Sequence, residues 1–313
     1  MPTDNHASPH ERVTGPLISV IIATYRHEAF IAQAVGSALS QQTDFPIEIL
    51  ISEDCSPDRT RDIVVDLQRR HPETIRLFLS ERNQNDNEVV TRAWKAARGR
   101  YIAMLDGDDF WTDPLKLQKQ VNFLERHPDV FICGHAVTIV DEYGRERLGT
   151  SNFDIHEDRD LRREDLAAEV PFPSCSVVFR NNGQLPPGAL FNDVVNADTF
   201  MFGFFANFGG GYISREVMAA YREHAGGESF GLDARRAADR RSKTLSRIPG
   251  VLHGSLRSIA YARLLAHALR HDYLWSRRAR QIPYALVMML RWMTPSAAAY
   301  LFTRLGAYAF AKR

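Results

Sequence analysis

Residues 104–111, MLDGDDFW, set Asp106, Asp108 and Asp109 within four positions, directly behind an apolar run. Carboxylates packed so closely repel one another and raise one another's pKa unless a cation or hydrogen bonds neutralise them. Asp106 and Asp108 flank Gly107, whose flexibility would let a turn aim both toward one hard cation, one directly and the other directly or through water. Mg²⁺ or Mn²⁺ fits such oxygen donors, because these ions keep several waters and share their shell with substrate phosphates. The competing reading is a solvated acidic turn ahead of a helix starting near Pro114, with Asp113 as its cap. An EF-hand loop does not fit: no Glu stands at its twelfth position, and an apolar strand precedes it where a helix should.

The elements that must position these acids follow from the hydrophobic pattern. Apolar, β-branched runs alternate with helix-period stretches through the first 140 residues, as in β-α-β units that build a mostly parallel sheet. Strands are expected at 17–24, 47–52, 75–80 and 100–105. Helices are expected between them, one with Phe30, Ile31, Ala34, Val35, Ala38 and Leu39 on one face, one starting at Ser56 or Asp58 and stopping at His71-Pro72, and a short one ending at Gly99. The acids therefore sit at a strand's carboxyl end, where open α/β sheets bind ligands. The second strand ends in SEDCSPD, which brings Glu53 and Asp54 to the same edge. Asp54 could accept from a uracil imide or a ribose hydroxyl, or serve only as a helix-cap partner; Tyr25 could pack on a base or simply finish the core edge. Further strands are expected in VFICGHAVTIV (130–140) and SCSVVF (174–179), with a charged loop over 144–170. No GxGxxG follows the first strand and no GxxxxGK[ST] occurs, so the dinucleotide-fold and P-loop readings lose their phosphate cradles.

The 313 residues, 44% hydrophobic and 25% charged, suffice for one large domain or one domain with an appendage. Cys55, Cys133 and Cys175 are scattered without a CxxC pair, against both a disulfide framework and a zinc site. Residues 1–16 read as a polar, flexible lead-in with no secretory h-region, so a cytoplasmic location is expected. A net charge of +1 hides an asymmetry: residues 231–313 carry 16 Lys/Arg against 3 Asp/Glu, and the rest 23 against 35.

Three stretches, ISVIIATYRHEAFIAQAVGSALSQ, EILISEDCSPDRT and GRYIAMLDGDDFW, resemble in order and spacing the nucleotide-sugar half of family 2 glycosyltransferases of the GT-A fold, over roughly 17–125. The continuation GDDFWTDPLKLQKQ is similar to a bacterial branch of that family. NADTF (196–200) resembles the segment with the acceptor-side catalytic Asp, and YREHAGG (221–227) the Tyr-Arg-x-His-x-Gly-Gly segment after it. The resemblance implies an α/β GT-A domain over 17–230, with a donor half (17–125) and an acceptor half (126–230), followed by a basic helical region (231–313). It assigns Thr24, Tyr25 and Asp54 to the nucleoside, Asp106 and Asp108 to ribose, diphosphate and metal, and Asp198 to the general base. His224 would touch the metal or the diphosphate, or make only a structural hydrogen bond. Asp193, which follows Asn192 in a comparable loop, is the rival base. The loop ERNQNDNEVVTR departs from the commoner family pattern, leaving base contacts from Arg82, Asn87 or Arg92 open.

The implied activity is metal-dependent, inverting transfer of a sugar from a nucleoside-diphosphate donor, UDP-linked for preference, to a glycan or lipid-linked hydroxyl acceptor in bacterial surface-glycan assembly. Two rivals differ in class. A sugar-phosphate nucleotidyltransferase should show a Gly-rich phosphate loop where this chain has TYRHEAF. A non-catalytic nucleotide-sugar or cation-binding module would not need a base, and the presence of Asp198 with His224 argues against it. The run 282–310 is interrupted by Arg291, Pro295 and Arg304, so it lacks the uninterrupted apolar length of a membrane span. Its Trp, Tyr and Arg suit either an anionic membrane surface, at the cytoplasmic face of the inner membrane, or packing on the acidic body or a second subunit. Nucleic acid is not expected as a partner, since the basic segments lack a binding motif.

Overall fold

The computed structural model describes residues 17–147, 155–168, 171–227, 231–270 and residue 298. The first four strands are β1 (Ile18–Thr24), β2 (Ile47–Glu53), β3 (Ile75–Leu79) and β4 (Tyr101–Asp106), with helices α1 (Ile31–Leu39), α2 (Thr60–Arg70) and α3 (Glu88–Ala96) between them. They pair in parallel in the order β3-β2-β1-β4, in a register that sets Ala23 opposite Ser52 and Asp106, and Thr24 opposite Glu53. The chain winds outward from β1 to β3 and then returns to the other side of β1 as β4. The β1/β4 junction is therefore the topological switch point, where a crevice opens beyond the strand ends.

The second half differs from the expectation of a mostly parallel sheet. It contributes β5 (Phe110–Trp111), α4 (Lys116–Arg126), β6 (Val130–Val140), β7 (Arg159–Leu161), α5 (Arg163–Ala168), β8 (Val178–Arg180), α6 (Gly188–Phe191), α7 (Ala197–Phe205) and β9 (Gly210–Arg222). Among the described residues the sheet has nine strands, continuing from β4 through β8, β6 and β9 to β5, with β7 also on β9. β8 runs antiparallel to both its neighbours, while β6 and β9 are parallel. Ser174–Ser176, expected as the start of a strand, forms a 3₁₀ turn instead, closed by Ser176 Oγ–H donating to the Pro173 carbonyl at 2.8 Å. A hydroxyl that bonds its own backbone in this way competes with the sheet ladder.

Alternation along the central strands divides the core. Val20 and Ile22, with Ile49, Ile51, Ala103 and Leu105, face the layer of α1, α2 and α4. Ile21, Leu50, Ile102 and Met104 face the other layer, which contains α3, α5 and α7 and an aromatic cluster of Trp94, Phe131, Phe179 and Phe205. In that cluster Phe179 and Phe205 have ring centroids 4.5 Å apart. α8 (Ala234–Arg247) and α9 (Gly254–Arg270) belong to this same layer, burying Leu245, Ile259, Ala260, Leu264 and Leu265 against it. The start of the basic region thus packs on the body. The run 282–310 lies outside the described residues, and no helix among those described is long and apolar enough to cross a membrane.

Candidate active site

The loops after β1, β2 and β3 share a backbone peculiarity. Among the described residues, the non-glycine positions with positive φ are Arg26 (59°), Cys55 (59°) and Asn85 (51°), one beyond each strand. Left-handed backbone in a side-chain-bearing residue costs about 1 kcal/mol or more and persists only where surrounding contacts enforce it. Here the contacts are visible. Arg26 N–H donates to Ser56 Oγ (3.0 Å) and His27 N–H to Thr60 Oγ1 (2.9 Å), so the first loop is stitched to the second. The His27 carbonyl then accepts from Phe30 and Ile31 at 2.9 and 2.8 Å, starting α1.

Each acid of the strand ends has its own partner. Glu53 is fully buried and paired with Arg61, so it is a structural anchor. Asp54, also buried, accepts from Ser80 Oγ (2.8 Å) and from Gln84 N–H (3.1 Å), which orients it at the cavity wall; the helix-cap role falls to Asp58, bonded to Thr60. Asp106 Oδ2 accepts from Ser174 Oγ (2.5 Å). Asp109, which burial and the neighbouring Asp108 and Asp106 charges push well above its ordinary pKa, accepts from Arg222 N–H (2.8 Å). Asp113 accepts from Leu115 N–H (2.8 Å) at the start of α4, so capping does not need the other acids.

Asp108 is the exception, because its partners are histidines. Its Oδ2 lies 3.0 Å from His224 Nε2 and 3.6 Å from His27 Nε2. Burial alone would raise the Asp108 pKa, but the His224 hydrogen bond and the nearby rings bring it below the usual carboxylate value. Desolvation by burial lowers His27. One ligand atom from each of His27, Asp108 and His224 lies within 4.8 Å of the others, and two imidazole nitrogens with a carboxylate oxygen suit a divalent first-row ion. His27 is absent from the residues picked out by sequence, and Asp106 is not one of these three.

Arg222 locks the loop that carries Asp108. Its guanidinium donates to the carbonyls of Asp108 (2.8 Å), Asp141 (3.2 Å) and Glu142 (3.1 Å) and to Gln33 Oε1 (2.7 Å). It lies between the rings of Phe30 and Phe110, at 4.7 and 5.2 Å from their centroids. The same strand end thus supplies a clamp, Arg222, and a site residue, His224.

A cavity of about 960 Å³ is lined by Thr24, Tyr25, Asp54, Asp106, Asp108 and His224 and also by Asp193 and Asp198. Asp198 stands in the first turn of α7, a helix so apolar that Thr199 to Phe205 are all buried. Burial raises its pKa, although Thr199 N–H donates to Oδ1 at 2.5 Å. Asp193 has the opposite environment: Lys243 and Arg247 of α8 both ion-pair with it and lower its pKa. Of the residues left open by sequence, Arg92 is turned away into a brace, donating to Ser52 Oγ (2.6 Å), Ser80 Oγ (2.6 Å) and the Glu53 carbonyl (2.9 Å). Asn87 ties α3 to the acceptor loop by donating to the carbonyls of Phe191 (2.7 Å) and Val194 (3.0 Å).

Residues 19–182 match the family model described as glycosyl transferase family 2, just over half of the chain. The chain belongs to glycosyl transferase family 2. An uncharacterized protein of Mycobacterium tuberculosis is 34% identical over 211 residues, which are 67% of this chain and 60% of that protein. The chain therefore spans about 60% of the length of this relative. The Escherichia coli protein named UDP-Glc:alpha-D-GlcNAc-diphosphoundecaprenol beta-1,3-glucosyltransferase WfaP is 40% identical over 111 residues, 35% of this chain and 41% of its own. Among solved structures, S. aureus TarS 1–349 in complex with UDP-GlcNAc superposes with a TM-score of 0.64 at 19% identity, covering 94% of this chain and 87% of that 1–349 chain. At that identity the likeness establishes a shared fold, the GT-A arrangement expected of a family 2 member.

Proposed function

We propose that this family 2 protein is a metal-dependent, inverting glycosyltransferase that moves a sugar from a nucleoside-diphosphate donor to an acceptor hydroxyl. The observation that carries this reading is one cavity lined by Asp54 beyond β2, by Asp106 and Asp108 at the end of β4, and by a carboxylate of raised pKa, Asp198. The acids at the strand ends suit a diphosphate only if a cation intervenes, since they would otherwise repel it. Asp108 and His224, with Asp106 beside them, would hold that cation, Mn²⁺ or Mg²⁺. When bound it would supply Lewis-acid stabilisation of charge on the departing diphosphate.

The chain's own residues account for the rest. Asp54, held by Ser80 and Gln84, would accept from the base or ribose, and Thr24 and Tyr25 frame that pocket. Asp198 takes the proton of the acceptor hydroxyl as its oxygen bonds to the anomeric carbon and the bond to the diphosphate oxygen breaks. A base needs a pKa nearer the working pH than an ordinary carboxylate has, which favours Asp198 over the ion-paired Asp193. One displacement gives inversion.

UDP is the favoured nucleotide because both the E. coli relative and TarS carry it in their names or complexes. The diphosphoundecaprenol in the relative's name supports a lipid-linked acceptor and a role in surface-glycan assembly. It also supports docking on the cytoplasmic face of a membrane through the basic region, which flotation with anionic liposomes would test. The first experiment is calorimetric titration with UDP, GDP and dTDP, each with and without Mn²⁺. Mn²⁺-dependent binding of one nucleotide is expected; no binding under any condition would overturn the donor site.

A further inference from the structure

We infer that His27 is a third protein ligand to the divalent cation, completing a two-histidine, one-carboxylate site with Asp108 and His224 that binds Mn²⁺ before any nucleotide arrives. This rests on the metal-dependent reading above and adds a residue from a different strand end.

Distances carry the inference. Two ligand atoms at right angles around an ion, with bonds of about 2.1 Å, lie about 3 Å apart, and at a tetrahedral angle about 3.4 Å. The separations from Asp108 Oδ2 to His224 Nε2 and His27 Nε2, 3.0 and 3.6 Å, are close to these values. A nitrogen 3.6 Å from a carboxylate oxygen is too distant for a hydrogen bond. The two rings stand nearly perpendicular, at 78° with centroids 6.1 Å apart, so they meet at Asp108 without stacking. An exposed side chain drifting into this position is not the explanation, because the backbone is built to hold it. Arg26 takes the left-handed turn just before it, Thr60 fixes its N–H and α1 its carbonyl. On its other edge, Nδ1 lies 3.3 Å from Thr24 Oγ1, which orients the ring with Nε2 toward Asp108.

The chemistry of this set has a consequence. An ion held by one or two carboxylates alone needs the substrate's phosphates to complete its grip, and Mg²⁺ accepts that arrangement. Two imidazoles add nitrogen donors that first-row transition ions, Mn²⁺ included although it binds them least tightly, accept more readily than Mg²⁺ does. The site should therefore hold Mn²⁺ in nucleotide-free protein.

The test is electron paramagnetic resonance of the full chain with Mn²⁺ alone. Loss of the free-ion signal gives the affinity, and pulsed measurements on ¹⁵N-histidine-labelled protein count the coordinated imidazoles. Two imidazole nitrogens are expected in the unaltered protein and one in His27→Ala, with Mn²⁺ affinity weakened about tenfold or more. The unaltered protein needs no variant to decide the matter: a single imidazole there overturns the inference. His27→Gln, checked by thermal melting, guards against an alanine variant that fails to fold, and Mn²⁺ affinity unchanged in a folded variant also overturns it. If UDP binds with Mn²⁺ but only one nitrogen coordinates, the proposed activity stands and His27 falls. If two nitrogens coordinate and no nucleotide binds, His27 stands and the donor reading falls.

Discussion

The carboxylates that line the cavity are held by opposite means. Asp54, Asp106 and Asp108 sit at or just beyond the ends of regular parallel strands, and each accepts from a side chain of another element: Ser80, Ser174 and His224. Asp198 instead bonds the amide of its neighbour Thr199 at the head of an apolar helix, and burial raises its pKa. Binding a cation needs carboxylates kept charged and fixed, whereas taking a proton needs one that is reluctant to stay charged. Asp193 shows what a different environment does to the same side chain in the same segment: Lys243 and Arg247 hold it charged and occupied.

Substitutions should separate these roles. Asp198→Asn is expected to have the largest effect, lowering transfer by about 10³-fold, within the range for removal of a general base. UDP affinity measured by calorimetry should stay within about twofold. An active Asp198→Asn protein would remove the contrast between Asp198 and the strand-end acids. Asp108→Asn should act the other way round, weakening Mn²⁺-dependent UDP binding by about 10- to 100-fold.

The pH profile sharpens the choice of base. The base works only as a carboxylate, so kcat/KM is full above its pKa and falls about tenfold for each unit below it. Because burial raises the Asp198 pKa, the acid limb should lie above the ordinary aspartate value of about 3.9. A limb below that value would point to Asp193, which its two basic partners hold low. The smallest effect is expected for Asp193→Asn: exposed ion pairs contribute little, so transfer should stay within about threefold of the unaltered protein.

The first half of the sheet was legible in the sequence because its information is local. Parallel strands buried on both faces read as apolar runs, and β1, β2, β3 and β4 fall within a residue or so of where the pattern sets them. The second half was legible only in part: β6 falls where VFICGHAVTIV sets it, but β9 does not show. β9, thirteen residues long, starts with two glycines and runs through Arg215, Glu216 and Val217 before Ala219 and Ala220, a composition without strand character. Its conformation comes from pairing with β6 and β7, partners distant in sequence. His27 was missed for a related reason: the ligand role proposed for it depends on Asp108 and His224, and only the fold brings the three together. The signal that could have found it was a histidine three residues past Thr24, at the strand end nearest the acids. The basic composition of 231–313 suggested an appendage, yet the apolar stripes of α8 and α9 are buried with the body's core.

Gly107 has a significance beyond flexibility. It is not among the positive-φ residues, but a Cβ there would come within 2.6 Å of Thr24 Oγ1 and 2.7 Å of His27 Nδ1. Every one-base change in a glycine codon that encodes another amino acid adds that carbon. The middle letter of the Asp-Gly-Asp sequence is therefore constrained from the neighbouring strand's loop, since any other residue there would displace the side chains of Thr24 and His27.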